Sequence, residues 1–277
     1  MVAPAVALLA LVAGYPLLAA MWMSLHRSIL VLHDHRFVGL HQYAYLLHDA
    51  RFAAALGHTA YFAMVSVTIE FALGLGFALL LDRSFRGRGA MRVAVLLPWA
   101  LPTVVTARMW GLLFEPQRGL LARALPVRDV DLLGMPGYAM HAAILVDVWK
   151  STPFVALLLL AGLQTIPTDL YRAARVDGAS SWRIFRSITW PLLRPALLVA
   201  LLFRTLDAFR VFDVIYVLTG GGPANTTETL SIYAYRTLMR AGDFGYGTTL
   251  AVATFACVAT ISAVYLALLG RDLRGAR

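Results

Sequence analysis

Six apolar stretches, each long enough to cross a lipid bilayer as a helix, limit this chain to a membrane fold. They lie at roughly 2–25, 59–81, 93–114, 138–163, 192–218 and 247–270. A transmembrane helix needs about 20 predominantly apolar residues, and the first and last stretches contain no charged residue. We therefore predict an all-α, polytopic membrane protein with six transmembrane helices.

The composition agrees with a membrane protein, because 60% of the residues are hydrophobic and only 14% are charged. Soluble domains carry about 25% charged residues. The first span differs from a secretory signal peptide, since it lacks a basic n-region and its apolar run exceeds the roughly 7–15 residues of an h-region. We expect an uncleaved helix there.

The arginines predict the orientation of the spans. Eleven arginines lie in the tail and in the connections after the second and fourth spans, about 45 residues in all, whereas the other three connections hold eight across about 82 residues. Arg-rich connections face the cytoplasm, so both termini are predicted to be inside. The net charge of +9 then reflects topology and contact with anionic lipid. Nucleic-acid binding is not indicated.

Two spans carry local packing signals. Pro98 and Pro102 should kink the third span near its cytoplasmic end, because proline removes a helix hydrogen bond. In the second span, small side chains permit close approach of a neighbouring helix, and packing is their expected role: Ala72, Gly74, Gly76 and Ala78.

A short polar segment at 164–191 separates the fourth and fifth spans. Thr168 can cap a helix that stops at Gly178, and Ser180 can cap a second one. Ala173 and Ala174 place only small side chains on one side of the first helix. Asp177 can hold the turn by bonding to backbone N–H groups. The pattern fits a docking knob for another protein. An amphipathic helix lying at the lipid headgroups is the alternative.

This segment resembles the cytoplasmic coupling loop of bacterial ABC importer permeases, with Ala-Ala-x-x-Asp-Gly-Ala followed by Phe185, Ile188, Pro191 and Pro195. Further stretches resemble the carbohydrate-uptake branch of that family, the maltose, glycerol-3-phosphate and trehalose-like importers, and in particular its first permease subunit: residues 98–102, 110–119, 149–154 and 212–223. The resemblance implies a type I permease fold, with residues 1–277 as one transmembrane domain.

The resemblance also implies which residues dock the ATPase: Ala173, Ala174, Asp177, Gly178, Ala179 and Phe185. Arg172 stands where the family usually has Glu, so the charge at that position is inverted. Either the partner ATPase compensates for this change, or the second permease subunit supplies the usual contact.

Ionisable residues within the spans are candidates for the substrate pathway, since a charge at bilayer depth costs about 3 kcal/mol and needs a partner or water. The fourth span combines a carboxylate, polar groups and aromatic faces, a mixture suited to sugars: Asp147, Trp149, Lys150, Ser151 and Phe154. The alternative is an Asp147–Lys150 ion pair with ordinary packing.

The second half of the fifth span carries four charges that alternate in sign every three residues. We assign Arg204 and Asp207 to the pathway, and Arg210 and Asp213 to the exterior gate or the partner subunit. The remaining isolated charges, Glu70 and Arg108, are expected to pair with other buried charges.

Outside the spans, Gly220, Gly221, Gly222 and Pro223 begin the last exterior connection. The resemblance implies that this flexible turn contacts an extracytoplasmic binding protein, whereas the alternative is a plain loop. His33 and His35 fit a solvated loop better than a metal site, and the single Cys257 is expected to pack within its helix. We predict no metal site.

The sequence contains no phosphate-binding Gly-x-x-x-x-Gly-Lys-Ser/Thr motif and no catalytic set. We therefore predict a non-enzymatic permease that binds no cofactor itself and uses ATP and Mg hydrolysed by partner subunits. The expected partners are a second homologous permease, two ATP-binding cassette ATPases, a substrate-binding protein and membrane lipid, in the bacterial cytoplasmic membrane. The predicted cargo is a saccharide, with glycerol phosphate or another polyol as the alternative. An ion-coupled secondary transporter is the alternative of another class.

Overall fold

A computed structural model describes residues 4, 6, 8, 10–116, 119–120 and 131–275, and helices make up most of this part of the chain. They are α1 (Tyr15–Ser24), α2 (His41–Leu46), α3 (Ala50–Asp82), α4 (Arg88–Ala100), α5 (Thr103–Phe114), α6 (Pro136–Gln164), α7 (Thr168–Val176), α8 (Ser181–Ile184), α9 (Trp190–Phe209), α10 (Asp213–Leu218), α11 (Leu230–Tyr235) and α12 (Phe244–Gly275). Single π-helical turns at Ala10–Gly14, Phe185–Thr189 and Arg236–Arg240 adjoin α1, α9 and α11.

Three helices of the described residues are long and apolar enough to cross a membrane: Ala50–Asp82, Pro136–Gln164 and Phe244–Leu268. A fourth span results if α4 and α5 count together. The predicted span at 2–25 begins among residues outside the described ranges, and Ala10–Ser24 is a shorter apolar helix. The 20-residue α9 contains Arg194, Arg204 and Asp207, which lower its hydropathy.

The predicted third span is bent by 95° between α4 and α5. Leu101 and Pro102 adopt extended backbone at the bend, because the residue before a proline is driven out of helical geometry. The predicted kink is therefore confirmed, and it is sharp enough to separate two helices.

The predicted fifth span is also divided, which the sequence analysis did not anticipate. Helix α9 ends at Phe209 and α10 begins at Asp213. Phe212 lies between them with φ −134° and ψ −61°, outside helical geometry. The apolar residues on either side of Asp213, between Val211 and Leu218, had concealed this break.

The core forms where α3, α6 and α9 pack together. A Cβ atom at Gly74 of α3 would lie 2.7 Å from Val155 Cγ1 of α6, and one at Gly162 of α6 would lie 2.5 Å from the Cβ of Ala196 in α9. These close approaches confirm the packing role predicted for Gly74. A Cβ at Gly76 would meet nothing within 4 Å, so no close helix approach within the described residues requires a glycine there.

A β-hairpin departs locally from the all-α prediction. Strand β1 (His26–Ile29) pairs antiparallel with β2 (Asp34–Phe37), with His26 opposite Phe37 and Ile29 opposite Asp34. The hairpin is also tied to the start of α12, because the Leu30 N–H donates to the Gly242 carbonyl at 2.9 Å. This partner lies some 200 residues away in the chain, so local sequence did not indicate it.

Candidate functional site

Arg204 is the centre of a buried cluster of charged side chains that joins three helices. It lies on α9, and its guanidinium donates to Glu70 of α3 and to Asp147 of α6. The Nη2–Oε1 distance to Glu70 is 2.8 Å. Asp207, one turn further along α9, accepts from Nη1 at 3.1 Å. The side chains of Arg204 and Glu70 are 2% and 0% exposed, whereas that of Asp207 is 72% exposed.

The carboxylates occupy most of the hydrogen-bonding capacity of Arg204. A guanidinium has five N–H donors, and that of Arg204 makes four hydrogen bonds to carboxylate oxygens. Such pairing offsets the cost of burying each charge, which would be large for any one of them alone. The pairing confirms the expectation that Glu70 partners a buried charge.

A cavity of about 200 Å³ lies beside this cluster. Its wall combines charged groups from α6 and α9 with the aromatic faces of Trp99 and Phe154, whose ring centroids lie 6.2 Å apart in a stacked arrangement. The lining residues that carry charge or a hydroxyl are Thr103, Asp147, Lys150, Ser151, Arg204, Asp207, Arg210 and Asp213.

Most of the predicted pathway residues meet at this cavity: Asp147, Lys150, Ser151, Phe154, Arg204 and Asp207. Trp149 is not among the lining residues, and it packs edge-to-face on Trp110 with centroids 5.6 Å apart. Asp147 pairs with Arg204 instead of forming the alternative pair with Lys150.

Arg210 and Asp213, assigned from sequence to the exterior gate or the partner subunit, line the cavity as well. The break after Phe209 turns the chain so that residues 210–214 form part of the wall. Trp99, Thr103 and Phe212 were missed as lining residues. The prolines beside Trp99 and Thr103 marked the bend that brings them there. Arg108 is exposed and forms no ion pair within the described part of the chain, contrary to expectation.

The predicted coupling segment forms two helices joined by a tight turn. Helix α7 ends at Val176, and Gly178 follows with φ +74°, a left-handed conformation that suits glycine. Backbone hydrogen bonds close the turn, from Ala179 N–H to the Ala174 carbonyl at 2.9 Å and from Gly178 N–H to Arg175 at 3.1 Å. Ser180 caps α8 by accepting from Arg183 N–H at 3.3 Å, as predicted.

Two details of this segment correct the sequence analysis, and a third adds a contact of Arg172. Pro167 occupies the N-cap position, so Thr168 lies inside α7 and does not cap it. The backbone holds the turn, and the Asp177 carboxylate makes no hydrogen bond to the described residues around it. Arg172 pairs with Asp169 of the same helix at 3.1 Å, with both side chains exposed. Arg172 therefore has a local partner.

The turn presents a mostly exposed surface. Ala173, Asp177 and Gly178 are exposed, and Ala174 and Ala179 are half-buried. Two large apolar side chains stand beside them, with Val176 88% and Trp182 68% exposed. Beneath the surface, the Tyr171 hydroxyl lies 3.2 Å from Thr189 Oγ1, which links α7 to the π-helical turn that leads into α9.

Side-chain hydrogen bonds hold the Gly-Gly-Gly-Pro stretch, the predicted flexible turn, in a defined loop. Arg236 donates from Nη2 to the Gly220 carbonyl at 2.7 Å, and from Nη1 to the buried Glu228 at 2.6 Å. Thr227 donates to the Gly222 carbonyl at 2.7 Å. The loop tip at 224–225 remains exposed.

The start of α3 is anchored next to this loop. Arg51 binds Glu228 through Nε at 2.7 Å, and the Asp49 carboxylate accepts from the Tyr233 hydroxyl at 2.6 Å. Burial raises the pKa of Asp49, but hydrogen bonds from Tyr233, from Tyr246 and from backbone N–H groups outweigh it. The net pKa of Asp49 is lowered.

Residues 71–275 match the family described as binding-protein-dependent transport system inner membrane component. The chain belongs to this family. It is 46% identical over 254 residues to the trehalose/maltose transport system permease protein of Thermococcus litoralis, which covers 91% of this chain and 86% of that one. It is 45% identical over 276 residues to the trehalose transport system permease protein of Mycobacterium tuberculosis, covering 99% and 89%.

The fold of the permease also matches a solved structure. A chain in the crystal structure of a bacterial ABC transporter that imports the acidic polysaccharide alginate superposes with a TM-score of 0.85, over 97% of this chain and 93% of that one. The identity is 21%, so this likeness concerns the fold. Family membership identifies a transport component and not an enzyme, and it sets aside the ion-coupled secondary transporter.

Proposed function

We propose that the permease forms half of the translocation pathway for a saccharide in an ATP-driven importer. The cavity beside Arg204 carries this proposal. Its carboxylates, Lys150 and Ser151 can bond to sugar hydroxyls, while Trp99 and Phe154 offer aromatic faces to the C–H side of a sugar ring. The named relatives handle trehalose and maltose, which supports a glucose disaccharide as cargo.

The proposed topology has six transmembrane segments within one domain, residues 1–277, with both termini in the cytoplasm of a bacterium. It rests on the six apolar stretches and on the arginine distribution. The first helix is counted as a span because the apolar stretch at 2–25 is long enough to cross a bilayer, and α9 is counted because its charged residues can face the interior of the assembly.

Residues 164–191 are proposed to couple the permease to its ATPases. Docking would use Ala173, Ala174, Asp177, Gly178, Ala179 and Phe185, with Val176 and Trp182 as further apolar contacts. A displacement of α7 would reach α9 through Tyr171 and Thr189, and α9 carries Arg204. This route connects ATP hydrolysis on partner chains to the cavity. Mg-ATP would bind those chains only.

The remaining proposed partners are a second, similar permease and an extracytoplasmic binding protein. The loop at Gly220, Gly221, Gly222 and Pro223 is the proposed contact for the binding protein. Its hydrogen bonds to Arg236 and Thr227 hold a defined shape, and a preformed loop loses little entropy on binding.

Reconstitution tests the proposal. The permease, its second permease subunit, the ATPases and the binding protein should together import labelled trehalose or maltose into liposomes only when ATP is present. Phe154→Ala should reduce uptake about tenfold, because it removes an aromatic face of the cavity. Phe203→Ala removes an exposed ring of α9 and is the matched control. Uptake by the chain alone without ATP, or uptake of glycerol phosphate but no sugar, would contradict the proposal.

Cysteine accessibility tests the orientation. With Cys257 replaced by Ser, single cysteines at Arg86 and Asn225 should react with a membrane-impermeant maleimide from opposite sides of intact inner membranes. Reaction of Arg86→Cys from the exterior would overturn the predicted topology.

A further inference from the structure

The charged residues of the cavity wall are balanced in sign. Three carboxylates line it, from Asp147, Asp207 and Asp213, and three cations line it, from Lys150, Arg204 and Arg210. Glu70 is not among the lining residues, yet both of its carboxylate oxygens accept from Arg204, and its side chain is fully buried. With Glu70 included, carboxylates outnumber cations by one.

Glu70 also determines which Arg204 donors are free. It accepts from Nε and from Nη2, while Asp147 accepts from Nη2 and Asp207 from Nη1. Since a guanidinium has five N–H donors, a single Nη1 donor remains. A bidentate clamp on a substrate carboxylate needs two parallel donors, which Arg204 cannot supply while these contacts persist.

We propose that Glu70, although it lies outside the cavity wall, makes the permease selective for neutral over anionic sugars by neutralising Arg204. This inference rests on the proposed saccharide cavity and adds a determinant of its specificity. Glu70 acts through Arg204 and is therefore a positioning residue. Because the pair is shielded from water, a change in its net charge alters the electrostatic potential in the cavity more than it would in solvent.

The inference is tested by binding to the complete permease–ATPase complex in nanodiscs, without the binding protein, so that the preference of the binding protein does not enter. The probes are trehalose and trehalose in which one hydroxymethyl group is oxidised to a carboxylate. Their relative affinities are measured by saturation-transfer NMR competition. Wild type should bind neutral trehalose more tightly.

Glu70→Gln removes one negative charge without removing a lining residue. The ratio of affinities should shift toward the anionic probe on the order of tenfold, the effect of one unit charge at about 10 Å in an effective dielectric of about 20. Ser66→Ala is the matched control, because Ser66 is also buried on α3 one turn earlier and bonds only within its own helix. Its ratio should equal that of wild type.

The double variant Glu70→Gln/Arg204→Gln removes both charges of the pair and should return the ratio to the wild-type value. Asp147 loses its cation in this variant, so an intact complex is first verified by size-exclusion chromatography. If Glu70→Gln does not assemble, Glu70→Met removes the same charge with a side chain of similar length. A selective loss of anionic binding in the double variant would mean that Arg204 is open to substrate, and would overturn the inference. So would an unchanged ratio in Glu70→Gln. If wild type binds neither probe, the proposed saccharide function itself fails.

Discussion

Arg204 on α9 and Glu70 on α3 form a pair with two hydrogen bonds between side chains that are almost fully buried, 134 residues apart in the chain. Asp147 of α6 accepts a hydrogen bond from the same guanidinium. The cluster thus fixes three helices to one another at the wall of the cavity, and both stability and specificity depend on it.

Loss of Arg204 alone should be severe. Arg204→Met leaves Glu70 and Asp147 buried without a cation, and breaking a buried pair in this way costs about 3–5 kcal/mol. Thermal unfolding of the purified permease in detergent should show a large fall in midpoint temperature. Arg194→Met, which removes an exposed arginine of the same helix, should change it little. Equal effects of the two substitutions would contradict the assigned role of the cluster.

Two glycines of α3 should respond differently to alanine. A Cβ at Gly74 would lie 2.7 Å from Val155 Cγ1, whereas one at Gly76 would meet nothing within 4 Å. Gly74→Ala should therefore destabilise the α3–α6 contact by about 1–3 kcal/mol through overpacking. Gly76→Ala should be neutral. The midpoint temperatures of unfolding of the two variants are compared. An unchanged midpoint in Gly74→Ala would contradict the predicted overpacking and show that α6 shifts to accommodate the added methyl group.

The coupling turn depends on the backbone conformation of Gly178. This residue has φ +74° and open space where a Cβ would lie, so substitutions act through strain and not through collision. Gly178→Val should distort the turn and reduce co-purification of the ATPase at least about tenfold, because a β-branched residue disfavours positive φ. Gly178→Asn should retain the ATPase, since asparagine tolerates this region. Equal retention by both variants would argue that the turn does not dock the ATPase.

Asp49 predicts a dependence of stability on acid. Its folded pKa is lowered from the ordinary value, so the carboxylate stabilises the fold above the pKa of the unfolded chain. That contribution disappears as the pH falls through the folded pKa. The midpoint of unfolding, measured between pH 7 and pH 3, should therefore fall less steeply in Asp49→Asn than in wild type.

The control for this titration is Asp169→Asn. It removes an exposed pair with Arg172, and exposed pairs contribute little to stability. If Asp49→Asn follows the wild-type curve throughout, the hydrogen bonds from Tyr233 and Tyr246 do not stabilise the charged carboxylate.

Helical geometry explains which residues of the cavity could be predicted from the sequence. Asp147, Lys150, Ser151 and Phe154 lie three, four and seven residues apart, so they share one face of α6. Trp149 is two residues from Asp147, about 200° around the helix, and belongs on another face. Spacing alone could thus have excluded it. The isolated charge of Glu70 correctly indicated a buried partner.

Other features depend on contacts that local sequence does not encode. Val211 and Phe212 are apolar, and they continued the run of the fifth span through a place where the helix stops. The hairpin at residues 26–37 has no strong strand periodicity, and its pairing with Asp243 comes from the far end of the chain. The prolines before Thr103 signalled a bend but not its size of 95°.

The hairpin has a consequence for the synthesis of the permease. Its Leu30 and Ile29 backbones bind Gly242 and Asp243, and Thr249 of α12 donates to the Ser24 carbonyl. A ribosome that adds about 5–20 residues per second needs about 10 to 40 s to travel from the hairpin to Asp243. For that interval the hairpin waits without its partner. A chain that stalls before α12 is made therefore leaves the hairpin unpaired as well as lacking its later helix.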